Sequence, residues 1–352
     1  MDLRVLQVMA GAEQGGAELF FERLCIAMHK AGVHQHVVMR EASARLERMR
    51  DAGLQPILMR FGGLLDFSTR KSLKREIAKF QPKVVLTWMN RATSYGPTGD
   101  HVLCARLGGF YDIKYYKHCD WLVCNTEDIR QHVIAAGFPE ERTVHLPNFV
   151  PEKRMEPVHR KLYYTPDNAP LIFALGRLHE NKAFDTLLKA LVLVPGCYLW
   201  LAGDGPLRGA LEKQAQDLGI KPRVRFLGWR DDAPALFAAS DLVVFPSRHE
   251  PLGNVALEAW AQCTPMVSTA THGPSKLVTD GSNGLLVPID DHKAMAEAIR
   301  RAFTEPGLME SMARKGWETF QSGYTEQKVV GQYREFFERV VAEKAAKKAA
   351  KG

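Results

Sequence analysis

Two carboxylates in one short run carry the most specific chemistry in the chain. Glu250 and Glu258 lie in Ser247-Arg248-His249-Glu250-Pro251-Leu252-Gly253-Asn254-Val255-Ala256-Leu257-Glu258. Pro251 and Gly253 disfavour helix before Asn254, whereas Val255 to Gln262 reads as helix. Glu250 is therefore placed in a loop and Glu258 about one turn inside the helix. At ~1.5 Å rise per residue they stand too far apart to share a proton or bind one atom. A helix N-terminus lies between them. Two separated acids around such a terminus suit a ligand with hydroxyls at both ends and phosphate in the middle, the layout of a nucleotide-sugar. Standing alone, the pair is better explained as a solvated loop acid and a helix-surface acid.

The elements that must hold this run alternate along the chain. In the first half, Leu3 to Val8, His36 to Met39, Ile57 to Leu58 and Val84 to Trp88 read as strands. Glu18 to Ala31, Ser43 to Ala52 and Ser68 to Phe80 read as the helices between them. Trp121 to Asn125 and Thr143 to Leu146 follow as short strands around a helix from Thr126 to Ala136. Such alternation predicts βαβ units and a doubly wound α/β parallel sheet. Residues 147 to 170 hold five prolines and no sustained period, as a linker does. The alternation restarts at Leu171 to Gly176 and runs through strands at Tyr198 to Ala202, Val224 to Leu227, Leu242 to Phe245, Met266 to Ser268 and Leu285 to Val287. Two such halves predict a cleft between facing carboxyl-end loops.

With Glu-x7-Glu following a Phe-Pro-Ser strand end, the chain resembles the retaining glycosyltransferases of the GT-B fold, specifically glycosyltransferase family 4. Five loops match that family in order across most of residues 171 to 290. Gly176-Arg177-Leu178-His179-Glu180-Asn181-Lys182 is similar to its Gly-Arg-x5-Lys-Gly pattern, with Ala183 where glycine usually stands. Arg177 offers a planar fork and Lys182 a point charge to the developing charge of a departing diphosphate. Gly203-Asp204-Gly205-Pro206 matches the turn that keeps side chains away from the nucleotide. Phe226-Leu227-Gly228-Trp229 matches the loop that meets the nucleobase; Trp229 itself reads more readily as packing. Asp280-Gly281-Ser282-Asn283-Gly284-Leu285-Leu286-Val287-Pro288 matches a structural motif. The Glu run adds Leu252, Gly253 and Asn254, whose N–H groups the resemblance turns toward the phosphates.

The first half matches less closely. Gly15-Gly16 falls where the family has a Gly-Gly facing the donor phosphates; it does not meet Gly-x-Gly-x-x-Gly, and a plain turn is the alternative. The family's acceptor-side loop corresponds to Val102 to Tyr111, which lacks the usual histidine. Arg106 is the replacement candidate for a polar contact, and Arg91, after Trp88, faces the same side. The wording Ala-Arg-Leu-Gly-Gly also resembles lipopolysaccharide-core glycosyltransferases. Lys276 stands where the family commonly has Glu.

The remaining composition narrows the class. At 352 residues, with 46% hydrophobic and 25% charged content, the chain suits two globular domains. No apolar run reaches the ~18 residues of a spanning helix, and the N-terminus reads as a strand and loop, not a signal peptide. Six cysteines without a Cys-x-x-Cys suggest buried thiols in a reducing cytosol and no metal site. The net charge of +7, with basic stretches from Arg40 to Lys83 and Arg339 to Lys351, suits an anionic acceptor or membrane surface. No aromatic-plus-basic RNA signature accompanies it.

The resemblance implies an N-terminal acceptor-binding Rossmann-like domain over 1–150, a linker over 151–170 and a nucleotide-sugar-binding domain over 171–322. A terminal helix and basic tail over 323–352 should return to the first domain. The implied activity is retaining, metal-independent transfer of a hexose from a nucleoside diphosphate sugar to a glycan or glycolipid, in the cytoplasm or peripherally at the membrane. Glu250, Arg177 and Lys182 are then catalytic, no cofactor is needed, and Glu258 accepts from ribose hydroxyls. A GT-B nucleotide-sugar epimerase and a catalytically silent nucleotide-sugar-binding subunit remain the alternatives.

Overall fold

The computed structural model describes residues 3–13, 15–62 and 66–350. It contains two compact units, residues 1–149 with 326–352, and residues 150–325. In the first, β1 (Arg4–Met9), α1 (Gly16–Lys30), β2 (His34–Met39), α2 (Ser43–Asp51), β3 (Ile57–Leu58) and α3 (Phe67–Phe80) come in turn. They are followed by β4 (Val84–Trp88), α4 (Met89–Tyr95), β5 (Val102–Leu107), β6 (Trp121–Cys124), α5 (Glu127–Ala135) and β7 (Thr143–His145). The sheet order is β3-β2-β1-β4-β5-β6-β7, with every pair parallel.

The second unit runs β8 (Leu171–Leu175), α6 (Phe184–Val192), β9 (Tyr198–Ala202), α7 (Arg208–Asp217), β10 (Val224–Gly228) and α8 (Ala233–Ala239). It continues with β11 (Leu242–Phe245), α9 (Asn254–Ala261), β12 (Met266–Thr269), α10 (His272–Leu277), β13 (Leu285–Val287), α11 (His292–Thr304) and α12 (Leu308–Gly323). Its parallel sheet has the order β10-β9-β8-β11-β12-β13. Strand order reverses between β1 and β4 in one sheet and between β8 and β11 in the other. Loops at the carboxyl ends of such neighbours diverge and leave a crevice.

Both central sheets are buried on two faces, which explains their near-continuous apolar strands. Leu6, Val8, Val85 and Leu103 face one core of the first unit, and Val5, Met9, Val84 and Leu86 face the other. The last helix, α13 (Glu326–Ala349), belongs to the first unit. It buries Val329, Tyr333, Phe336 and Phe337 against that second core. Burial of each large apolar side chain is worth ~1.5–3 kcal/mol, enough to fix a helix reached through a different unit.

Three segments differ from the sequence reading. Val102 to Leu107 is a buried central strand, not a loop, because its apolar run packs on both faces. Met89–Tyr95 forms a helix directly after β4, with Met89 itself at φ 59°. The proline-rich segment after Val150 folds onto the second unit: Arg160 donates to Ala239 O and pairs with Asp241 at 2.7 Å.

Candidate active site

The second unit assembles the predicted catalytic residues around its strand-order reversal. Lys182 ends a 3₁₀ turn (Glu180–Lys182) in the loop after β8, and Glu250 lies in the loop after β11. Lys182 Nζ approaches Glu250 Oε2 to 2.5 Å. Both side chains are largely enclosed, at 22% and 15% exposure. The other Glu250 oxygen accepts from Gly253 N at 3.2 Å. Lys182 Nζ also lies 5.2 Å from the centre of the Phe245 ring. Arg177, at the start of the same loop, is exposed.

The bond from Gly253 corrects one expectation. Gly253 caps α9 at φ 87°, a left-handed conformation that directs its N–H back to Glu250 instead of toward a ligand. Leu252 is buried beside it, and Asn254 opens α9. Glu258 lies one turn further along, half-buried. The helix carrying it is anchored by Trp260, whose Nε1 donates to Asn283 O at 3.0 Å. Within the Asp280-to-Pro288 motif, Asp280 Oδ1 accepts from Leu286 N, as a structural turn requires.

Arg248 ties these loops together, a residue that sequence reasoning passed over. Its guanidinium donates to Asp290 Oδ1, Glu180 O, Asp185 Oδ2 and Thr186 Oγ1. Its backbone N–H donates to Asn181 O at 2.8 Å. The Lys182 turn and the Glu250 loop are thus fastened by one side chain. Burial opposes ionisation of Asp185, but the hydrogen bond and charge of Arg248 outweigh it and hold the carboxyl below its ordinary value. Asp185 in turn holds the Arg248 guanidinium above its usual range. Ala183 follows the turn at φ 50°, which gives the family's glycine at this position a backbone reason.

The loops after β8 and β9 and the end of β10 touch backbone to backbone. Gly203 N donates to Gly228 O, and a Cβ on Gly203 would stand 1.9 Å from Gly176 O. Glycine is required there by the neighbouring loop itself. Trp229 is not core packing: it is 59% exposed, and its indole N–H donates to Asp231. The hydroxyls of Ser247 and Thr271 are buried beside the Glu250 loop without a hydrogen-bond partner among the described residues. Lys276 is exposed on α10. Among the described residues no group of three or more His, Cys, Asp or Glu side chains could hold a metal ion.

In the first unit, Gly15 and Gly16 are exposed at the start of α1. Glu18 folds back into this loop and accepts from Ala12 N at 2.9 Å. A Cβ on Gly15 would stand 2.2 Å from its Oε2. Buried Arg45 braces the loop through Ala12 O and Glu13 O. Burial lowers the Arg45 pKa, and Glu18 and Glu22 oppose that shift.

Arg106 requires a correction. Its guanidinium is buried at 2% exposure, donating to Tyr333 on α13 and to Asn148. It lies over the rings of Phe20 and Trp88 at 4.5 and 4.6 Å. Strand β5 points this side chain inward, so it fastens α13 to the core. Arg91 is exposed on α4.

These features can be set against known proteins. A family profile described as "Glycosyl transferases group 1" matches residues 169–305. The lipopolysaccharide core biosynthesis glycosyltransferase LpsE of Rhizobium meliloti (strain 1021) is 37% identical over 334 residues, covering 91% of this chain and 95% of that one. The chain belongs to the group 1 glycosyltransferases. A second lipopolysaccharide core biosynthesis glycosyltransferase of that organism, LpsD, is 34% identical over 97% of this chain and 100% of its own length. The crystal structure of Anabaena Alr3699/HepE in complex with UDP and glucose shares the fold, with a TM-score of 0.83 at 19% identity over 96% of this chain and 99% of that one. The fold of this glycosyltransferase is accordingly GT-B, as its loop motifs imply. Among the described residues no helix is long and apolar enough to cross a membrane.

Proposed function

We propose that this glycosyltransferase transfers a hexose from a nucleoside diphosphate sugar to a glycan or glycolipid with retention of configuration and without a metal ion. The observation that carries the reading is the meeting of Lys182 and Glu250 at the strand-order reversal. Relatives named for lipopolysaccharide core biosynthesis support a glycolipid acceptor, and the UDP complex of a fold neighbour supports uracil as the donor's base.

Each residue then has a physical task. The acceptor hydroxyl oxygen bonds to the sugar's anomeric carbon as the bond to the diphosphate oxygen breaks. The electron pair leaves with the diphosphate, whose departing oxygen takes the acceptor's proton on the same face. Lys182 and Arg177 stabilise the charge developing on that phosphate, the work a metal does in other transferases. Glu250 accepts from donor-sugar hydroxyls, holds Lys182 in place, and as an anion favours an oxocarbenium-like transition state. Glu258 accepts from the ribose diol.

The test is transfer from UDP-hexoses of known anomeric configuration, followed by proton NMR of the first product formed, with and without excess chelator. Retention and undiminished turnover in chelator are expected. An inverted first product, or activity lost on chelation and restored by magnesium or manganese, would overturn the mechanism.

A further inference from the structure

The first unit carries a cavity of about 800 Å³ that the donor chemistry does not use. One wall is a single face of α3, where Phe67, Arg70, Lys71 and Lys74 follow helical spacing. The opposite wall is formed by Tyr95 and the turn after it, together with His118. Phe67 is 69% exposed, so its ring contributes little to the core. Arg70 lies over the Tyr95 ring at 4.9 Å.

The charge of this groove is one-sided. Arg70, Lys71 and Lys74 line it, and among the described residues no carboxylate does. The acids nearest in sequence are committed elsewhere: Asp66 accepts from Gly62 N, Ser68 Oγ and Thr69, and Glu76 accepts from His36. Like charges on neighbouring turns of one helix repel and disfavour it. An anion placed between them removes that repulsion, and the exposed phenyl ring offers an apolar face to a sugar. The size lies within the range of small-molecule sites.

We propose that this groove binds the phosphate or carboxylate of an anionic saccharide, with Phe67 against the sugar ring and Arg70, Lys71 and Lys74 around the charge. Taking that saccharide to be part of the acceptor rests on the function proposed above; the groove itself does not. The same anionic chemistry is offered by lipid headgroups, so the test separates the two.

The full chain is titrated calorimetrically with glucose 6-phosphate, glucuronate and glucose, and sedimented with vesicles of phosphatidylglycerol and phosphatidylcholine. Lys71→Glu/Lys74→Glu, Phe67→Ala and Lys182→Ala are compared with the parent chain. Binding of both charged sugars but not glucose is expected. The Lys71→Glu/Lys74→Glu chain should bind them at least about tenfold more weakly, whereas Lys182→Ala should not. Phe67→Ala should weaken both while leaving UDP affinity unchanged. Equal binding of glucose and its phosphate, or vesicle binding lost with sugar-phosphate affinity intact, would overturn the proposal. Retained UDP binding in either case would leave the donor-site reading standing.

Discussion

Lys182 Nζ and Glu250 Oε2, 68 residues apart in sequence, meet at 2.5 Å where the second sheet reverses its strand order. Each group comes from the loop after one of two adjacent parallel strands, β8 and β11. A pair this enclosed differs from an exposed surface ion pair, worth ~0–1 kcal/mol, because removing either partner leaves the other poorly solvated. The ammonium is thereby held at the crevice without a rigid side chain of its own.

Glu258→Gln preserves shape and removes charge. Affinity for free UDP should fall by ~1–3 kcal/mol, the range for hydrogen bonds to a charged group. Titration calorimetry showing equal affinity for parent and variant would reject the ribose contact.

Arg248 makes contacts in several directions that only a guanidinium fork satisfies. Arg248→Ala should lower kcat by ~10-fold or more through misplacement of the Lys182 turn. Arg248→Lys should recover only part of that loss. Steady-state kinetics giving full kcat for either variant would remove the positioning role.

Much of this architecture is legible before any coordinates, for identifiable reasons. Apolar runs alternating with helical periods disclose the doubly wound sheets, and the loop glycines are spaced as backbone contacts demand. Gly203 is an example, since its neighbour is a backbone oxygen. The burial of Arg106 is not legible because a basic residue in an apolar run gives no sign of its partners. Tyr333 and Asn148 lie 227 and 42 residues away. The role of Arg248 is hidden for the same reason, as its partners come from distant turns. Trp229 shows the opposite limit, an aromatic side chain that the sheet edge leaves in solvent.

Gly203→Ala would place a methyl group 1.9 Å from Gly176 O at φ 126°. The loops after β8 and β9 must separate, which should destabilise the chain by ~1–3 kcal/mol. A thermal melt indistinguishable from the parent's would show that the loops accommodate it freely.

The Asp185–Arg248 link gives stability a defined pH dependence. The Asp185 carboxyl is depressed on folding, so its contribution is complete above the ordinary Asp range near ~4 and is lost as pH falls through the lower folded value. Asp185→Asn should therefore melt below the parent at pH 7, and the gap should shrink on acidification below pH ~4. A gap that is constant with pH would show that charge is not involved.

The most direct test is a double-substitution cycle on kcat/KM with Lys182→Ala, Glu250→Gln and both together, using a UDP-hexose donor and a glycolipid acceptor. Each single substitution should cost ~10²-fold, as for a donor aimed at developing charge. The double variant should be hardly worse than the poorer single one, because the two groups act as a unit. Turnover undiminished in either single variant, or losses that simply multiply to ~10⁴-fold, would contradict a shared reaction centre.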